Sequence, residues 1–332
     1  MDSLGRFHES QIRPRALFEK WKEILKKDLA LYFADKNKLV NVNCPGCGSK
    51  KFNPAFMKFG FEYQRCNSCG SLFVSPRPDT NSLTRFYHQG QAPKFWKEKI
   101  MKTAMRARRR YQILPLYLWL TDLVKDYKPK AEIALDYKPR YYSLFLFDKK
   151  LFNKLKKIIF VDPLYLGERF LMNKIKIFSN LMAVKEKVDI FIAFEDLDEE
   201  FDPGQFIRQA AKTCKKGGLF FLTTNTISGF EYQVLGRHSP RLVPPDRLNL
   251  LSVEAIQNLL VNNGFKILDL STPGKLDVEL VANTLRENPN IEMPEFLRYI
   301  FKYRDEETWE SFQDFLQLSR LSSHLRVAAL KK

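Results

Sequence analysis

Residues 131–142 read A-E-I-A-L-D-Y-K-P-R-Y-Y. A short apolar run ends at an acidic residue, and the turn after it carries two cations and a proline. The same rhythm returns downstream. Apolar runs at 157–161, 175–178, 188–194, 218–224, 265–270 and 324–330 are strand candidates, as is 131–135. Helical segments such as 204–214 and 252–263 lie between most of them. Alternation of this length predicts an α/β fold with a mostly parallel sheet of seven strands, covered on both faces. Ligands of such sheets sit beyond the carboxyl ends of the strands, where strand order reverses. The turns after 135, 161 and 194 are therefore the expected functional surface.

The chain has 332 residues, 45% hydrophobic and 28% charged, which excludes wholesale disorder. Its longest apolar run, Ile113 to Leu120, has eight residues, far short of the roughly 18 needed for a membrane span. The start, M-D-S-L-G-R-F-H-E-S, has no apolar core of a signal peptide, so the expected location is cytoplasmic.

Four of the five cysteines form C-P-G-C (44–47) and C-N-S-C (66–69), with 18 residues between the pairs. Doubled Cys-x-x-Cys turns at this distance predict a tetrahedral zinc site made by Cys44, Cys47, Cys66 and Cys69. Phe52 to Arg65 is long enough for a β-hairpin joining the two knuckles, with Gly46, Gly48 and Gly70 supplying positive backbone dihedrals. The rival readings are two disulfides or a redox pair. An all-thiolate site has no open coordination position, so the zinc is expected to be structural. Cys214, in a predicted helix, reads as core packing.

Outward from the cysteines, 14–33 has the spacing of an amphipathic helix, 75–80 reads as a turn opening a helix, and 92–127 is helical with an interruption at Pro115. The expected organisation is a helical segment at 1–41, a zinc ribbon at 42–75, a basic helical connector at 76–130 and an α/β unit at 131–332. The last contains a helical insertion near 275–320.

Charge is distributed unevenly. Residues 1–130 hold 26 Lys and Arg against 11 Asp and Glu, a surplus of +15, whereas 131–332 hold 29 against 27. Zinc held by four thiolates carries about −2 and lowers the first surplus to about +13. The densest cluster is K-I-M-K-T-A-M-R-A-R-R-R (99–110). It reads as the solvated face of a helix with Ile100, Ala104 and Met105 turned inward, or as a contact for an anionic small molecule or nucleotide-linked substrate. Few aromatics interleave with the arginines, which argues against nucleic acid.

Taken together, C-P-G-C-G-S, F-E-Y-Q-R-C-N-S-C-G, F-V-S-P-R-P and F-Y resemble the N-terminal zinc-binding module of some class I S-adenosylmethionine-dependent methyltransferases. Ile158 to Pro163 (I-I-F-V-D-P) resembles the strand whose acidic end holds the cofactor ribose. Lys215 to Leu219 resembles the turn before strand five, Gly264-Phe265 the start of strand six, and Leu321 to Leu330 the last strand. The resemblance spans about 42–332. It implies a Rossmann-like sheet and methylation of small molecules, sugars of nucleotide sugars among them.

The departures are concentrated. The family's strand one leads into D-x-G-x-G-x-G, but here the sequence is Asp136-Tyr137-Lys138-Pro139-Arg140-Tyr141-Tyr142. Side chains fill all three glycine positions, where glycine would let a cofactor approach the backbone. Asp198-Glu199-Glu200 replaces an E-H, and Pro244-Pro245-Asp246-Arg247-Leu248 lacks a histidine before leucine. As cofactor contacts the resemblance leaves Asp136, Lys138, Arg140, Asp162 and Glu195. Asp162 has the competing reading of a helix cap, and Glu195 with Asp196 that of a solvated acidic loop. His238 and Tyr232 are the catalytic candidates; a surface-loop histidine is the competing reading of the first. Three functions compete: an active methyltransferase, a pseudoenzyme that works through a protein partner, and a binding protein whose Lys138 and Arg140 grip an anion. The lost glycines weigh against bound S-adenosylmethionine and favour a methyltransferase fold with activity impaired or absent.

Overall fold

In a computed structural model of the chain, residues 7–139, 153–162 and 174–332 are described. Thirteen strands are named β1–β13 in chain order. β6 (Ile133–Tyr137), β7 (Lys157–Val161), β8 (Ile175–Phe178), β9 (Val188–Phe194), β10 (Cys214–Asn225), β12 (Phe265–Ser271) and β13 (His324–Lys331) form one sheet. Its order is β12-β13-β10-β9-β6-β7-β8, and β13 runs antiparallel to both its neighbours. This is the Rossmann-like sheet of class I methyltransferases, the fold class that the sequence pattern predicts.

The central strands are mostly apolar because they are covered twice. On β9, Phe191 and Ala193 face one core with Phe206, Ile207 and Ala210 of the helix Pro203–Thr213. Ile190 and Ile192 face the other with Leu120 and Val124 of the helix Leu114–Tyr127. Helix starts are fixed by side-chain caps: Asp202 accepts from the Gln205 amide at 2.8 Å and Ser252 from the Ala255 amide at 3.1 Å.

The ribbon holds β2 (Phe52–Lys58), β3 (Phe61–Cys66) and β4 (Leu72–Val74). The hairpin expected between the knuckles is β2–β3. Unexpected is its fourth strand, β11 (Asn249–Leu250), which pairs antiparallel with β4 and comes from the far side of the chain. Tyr63, Leu72 and Val74 share a core with Leu242, Leu248 and Leu250, and with Phe18, Trp21 and Leu25 of the helix Arg15–Tyr32. The ribbon thus packs on the segment that follows β10. Two further short strands, β1 (Leu39–Val40) and β5 (Arg77–Pro78), pair with each other beside it.

Four local expectations are corrected. The first sheet strand is β6, two residues later than predicted: the Asp189 carboxylate takes the amides of Glu132 and Ile133 at 3.0 Å each, and the ladder starts at Ile133, opposite Lys157. The helical path continues through Pro115, which sits in the first turn of its helix, where a missing N–H is harmless; a π-helical segment, Arg109–Ile113, precedes it. Cys214 opens β10 rather than ending a helix and is 4% exposed, so it is core packing as expected. Gly48 and Gly70 have φ of 76° and 71°, but Gly46 does not share that conformation: a Cβ there would meet Ser71 Oγ at 2.9 Å. Residues 275–320 are largely helical, as Asp277–Glu287, Glu295–Tyr303 and Glu306–Leu318. Among the described residues no helix is long and apolar enough to cross a membrane.

Phe191 is fully buried and packs on Phe206 and Phe220, with ring centroids 6.2 and 5.4 Å away. Phe191→Ala is expected to cost about 3–5 kcal/mol in urea denaturation; a loss below 1 kcal/mol would contradict this packing.

Candidate functional site

Sheet order reverses between β6 and β9: from β6 the chain builds outward through β7 and β8, then returns to lay β9 on the other side. The crevice at their carboxyl ends is where a ligand of this fold is expected. Asp136 lies inside β6, 5% exposed and paired in register with Phe160 and Ile192. Lys138 is the first residue past the strand and has φ 47°. This left-handed conformation favours glycine, yet lysine adopts it. Its ammonium lies 2.5 Å from Glu200 Oε1, with both side chains 15% exposed. The Tyr137 hydroxyl donates to the same oxygen at 3.0 Å. Lys138 is therefore ion-paired with Glu200, beyond β9. Arg140 lies outside the described residues. Asp162 follows β7, its amide donating to Phe178 O at 2.9 Å.

A second pair lies deeper. Asp198, 1% exposed, is 3.3 Å from Arg247 Nη1. It also accepts from the Asn225 side-chain amide at 2.7 Å and from the Thr224 hydroxyl. Burial lifts the Asp198 carboxyl to about 6, with Arg247 pulling the other way. Next to it, Glu231 is completely buried; it receives Ser239 Oγ at 2.5 Å and Arg241 Nη1 at 3.0 Å. Arg241 also donates to Asn225 Oδ1, and the Tyr232 hydroxyl reaches that oxygen at 3.4 Å.

The three sequence departures thus meet in space. The turn at Lys138 pairs with Glu200, and Asp198 pairs with Arg247 of the proline-rich segment. Charges filling these positions are matched to one another.

The catalytic candidates separate. Tyr232 is 1% exposed inside the network, and burial raises its phenol above the ordinary value. His238 is exposed on the turn Gly236–His238, where Lys58 of the ribbon hairpin donates to the carbonyls of Arg237 and Ser239, and burial together with Arg237 and Lys58 lowers its pKa. Glu195, with φ 64°, is taken by His324: Nε2 lies 2.6 Å from Oε1, and the Thr223 hydroxyl donates at 3.0 Å. Burial pushes the Glu195 carboxyl up, but the His324 and Arg247 charges outweigh it and hold it well below the usual range. His324 escaped the sequence reading because it opens a strand. Only the antiparallel course of β13, which sets His324 opposite Asn225, brings that start to the end where the other strands finish. With side chains 25% and 40% exposed, His324 and Glu195 are an accessible imidazole–carboxylate pair there.

The cysteines come together in the ribbon. Cys44 and Cys69 sulfurs are 3.5 Å apart, as are those of Cys47 and Cys66, and all four lie within 4.8 Å of one another. A divalent ion with metal–sulfur bonds near 2.3 Å needs sulfurs about 3.8 Å apart, so the donor set fits. Hydrogen bonding with Cys44 brings the Cys69 thiol down to about 4 and lifts Cys44 well above the thiol range.

No protein-family model and no curated protein matches the sequence. Solved structures do match. Magnesium protoporphyrin IX methyltransferase from Synechocystis PCC 6803, with bound SAH, is 13% identical; the match covers 76% of this chain and all of that one, with a TM-score of 0.46. Mycolic acid cyclopropane synthase CmaA1 is 12% identical, over 76% of this chain and 94% of that one, with a TM-score of 0.40. The cyclase SpnF is 18% identical, over 64% and 80%, with a TM-score of 0.39. At these values the likeness adds nothing to the strand order itself.

The buried carboxyl sets a pH signature. Asp198 has a folded value of about 6, above the unfolded value near 3.9, so its contribution to stability is full below about pH 4 and is lost as pH rises through 6. The loss is at most about 3 kcal/mol. In urea denaturation at pH 4 and pH 7, the wild type is expected to lose stability relative to Asp198→Asn over that interval; an unchanging difference would contradict the assignment.

Proposed function

We propose that this chain is a methyltransferase-fold protein whose cofactor crevice is closed by its own residues, and that it acts by binding rather than by methyl transfer. The carrying observation is the Lys138–Glu200 ion pair across the switch point, with Lys138 in a left-handed turn. The nucleoside of S-adenosylmethionine needs close approach to the backbone of this turn, where a lysine side chain now stands. The buried Asp198–Arg247 and Glu231–Arg241 pairs support the same reading, since they fill the ends of β9 and β10 beside the crevice. The bound partner is an anionic small molecule, a nucleotide-linked compound or a protein, drawn to the basic residues at 94–110. Lys94, Lys99, Lys102, Arg106, Arg109 and Arg110 are exposed there. The four cysteines hold one structural zinc ion.

One observation favours an active methyltransferase instead. Asp162 directly follows β7, the place from which a carboxylate reaches ribose hydroxyls.

Calorimetric titration with S-adenosylmethionine decides between the two. No binding tighter than about 100 μM, or about 5.5 kcal/mol, is expected; a tighter constant would overturn the closed-crevice reading. The double substitution Lys138→Gly with Glu200→Ala removes both members of the pair and is expected to strengthen binding measurably. Elemental analysis of the purified chain should find about one zinc, and chelation should lower the melting temperature of the ribbon. A folded protein free of metal would remove the zinc assignment.

A further inference from the structure

Arg77 is the largest fully buried side chain of the protein, at 0% exposure. It opens β5 immediately after the ribbon, and its hydrogen bonds go to main-chain carbonyls. Nε donates to Val74 O at 2.9 Å, and Nη1 to Phe201 O at 2.9 Å in the loop after β9. Nη2 is buried with no hydrogen-bond partner. Among the described residues no carboxylate forms an ion pair with it. Asp202 is a nearby charge, but its Oδ1 caps the following helix, its Oδ2 lies 3.8 Å from Arg208, and its side chain is half exposed. Tyr63, also nearby, is kept neutral because burial raises its phenol well above the ordinary value.

A buried guanidinium held by carbonyls alone is costly, and Asp202, the strongest charge acting on it, is half exposed and screened by solvent. Cys44, by contrast, is 1% exposed. Arg77, Cys44 and Cys47 line one cleft of about 660 Å³ between the first knuckle and the start of the helix Pro203–Thr213. Four thiols bring no charge to this place. Four thiolates around a divalent ion bring about −2.

We infer that Arg77 is the counter-ion of the four-cysteine metal centre, so that metal loading supplies a buried opposite charge beside this cation. The inference rests on the reading that the cysteines bind zinc. Its structural consequence is a link: Arg77 is also bonded to Phe201, so the charge balance of the ribbon bears on the loop that carries Asp198 and Glu200. Arg77 is a positioning residue; it touches neither a substrate nor the metal.

The test uses the full chain and zinc itself, with affinity measured by competition against a chromophoric chelator. Arg77→Met is expected to weaken zinc binding 10–100-fold, and Arg77→Lys, which keeps the charge but not the fork of hydrogen bonds, to stay within about threefold of wild type. After chelation, Arg77→Met is expected to be at least as stable to urea as the stripped wild type. Equal zinc affinity in Arg77→Met and wild type would overturn the inference while leaving the zinc reading intact. Equal losses in the Met and Lys variants would overturn it too, by assigning the effect to the bonds with Val74 and Phe201. A wild type that takes up no zinc would instead remove the reading beneath it. Should Arg77→Met fail to fold, the wild type still answers: the Arg77 Nε–H resonance is expected to shift on zinc loading, and an unmoved resonance overturns the inference.

Discussion

Charge pairing at the carboxyl ends of the parallel strands is the constraint around which this protein is arranged. A parallel sheet leaves strand ends and loop amides pointing into one crevice, and most proteins of this architecture put a ligand there. Here Lys138, Arg247 and Arg241 bring cations to that end, and Glu200, Asp198 and Glu231 meet them. Removing one member would strand its partner in a low-dielectric place, a cost of several kcal/mol. The pairs must therefore change together or not at all.

The same arithmetic governs the ribbon. A divalent ion held by four thiolates is an anionic centre, and Arg77 is a buried cation that lines the same cleft as Cys44 and donates its hydrogen bonds to carbonyls. The β4–β11 pairing and the Arg77–Phe201 bond join the ribbon to the end of the sheet where the charge pairs lie. The ribbon is thus less an appendage than a cover for that end, packed on the segment between β10 and the helix Val253–Asn262. The surplus of positive charge in the first 130 residues then has two components. Arg77 and Arg108 are buried and serve the interior, whereas Lys102, Arg106, Arg109 and Arg110 remain at the surface.

Local signals were legible from the sequence because they are short-range. Apolar runs of strand length announced the sheet, C-x-x-C pairs announced the four-sulfur cluster, and Asp79, Asp202 and Ser252 sit where helix starts need caps. The substituted glycine turn was legible too, but its consequence was misjudged in one respect. Lys138 was read as a cation aimed into ligand space, whereas its charge is neutralised 2.5 Å away by a residue more than 60 positions along the chain. Glu195, a candidate cofactor contact in the sequence, has its carboxylate engaged by His324. Neither partner can be found by spacing, since contacts between loops depend on strand order.

What the sequence determined by itself is therefore the class of sheet, the pairing of four cysteines into one cluster and a turn after the first sheet strand that holds no glycine. Each is written in residues close together, where backbone geometry and donor spacing leave few alternatives. What only the tertiary structure decided is who pairs with whom: Lys138 with Glu200, Asp198 with Arg247, Glu195 with His324, and Arg77 with no carboxylate among the described residues. Those partners are set by the reversal of strand order between β6 and β9 and by the antiparallel course of β13, which bring distant segments to one end of the sheet.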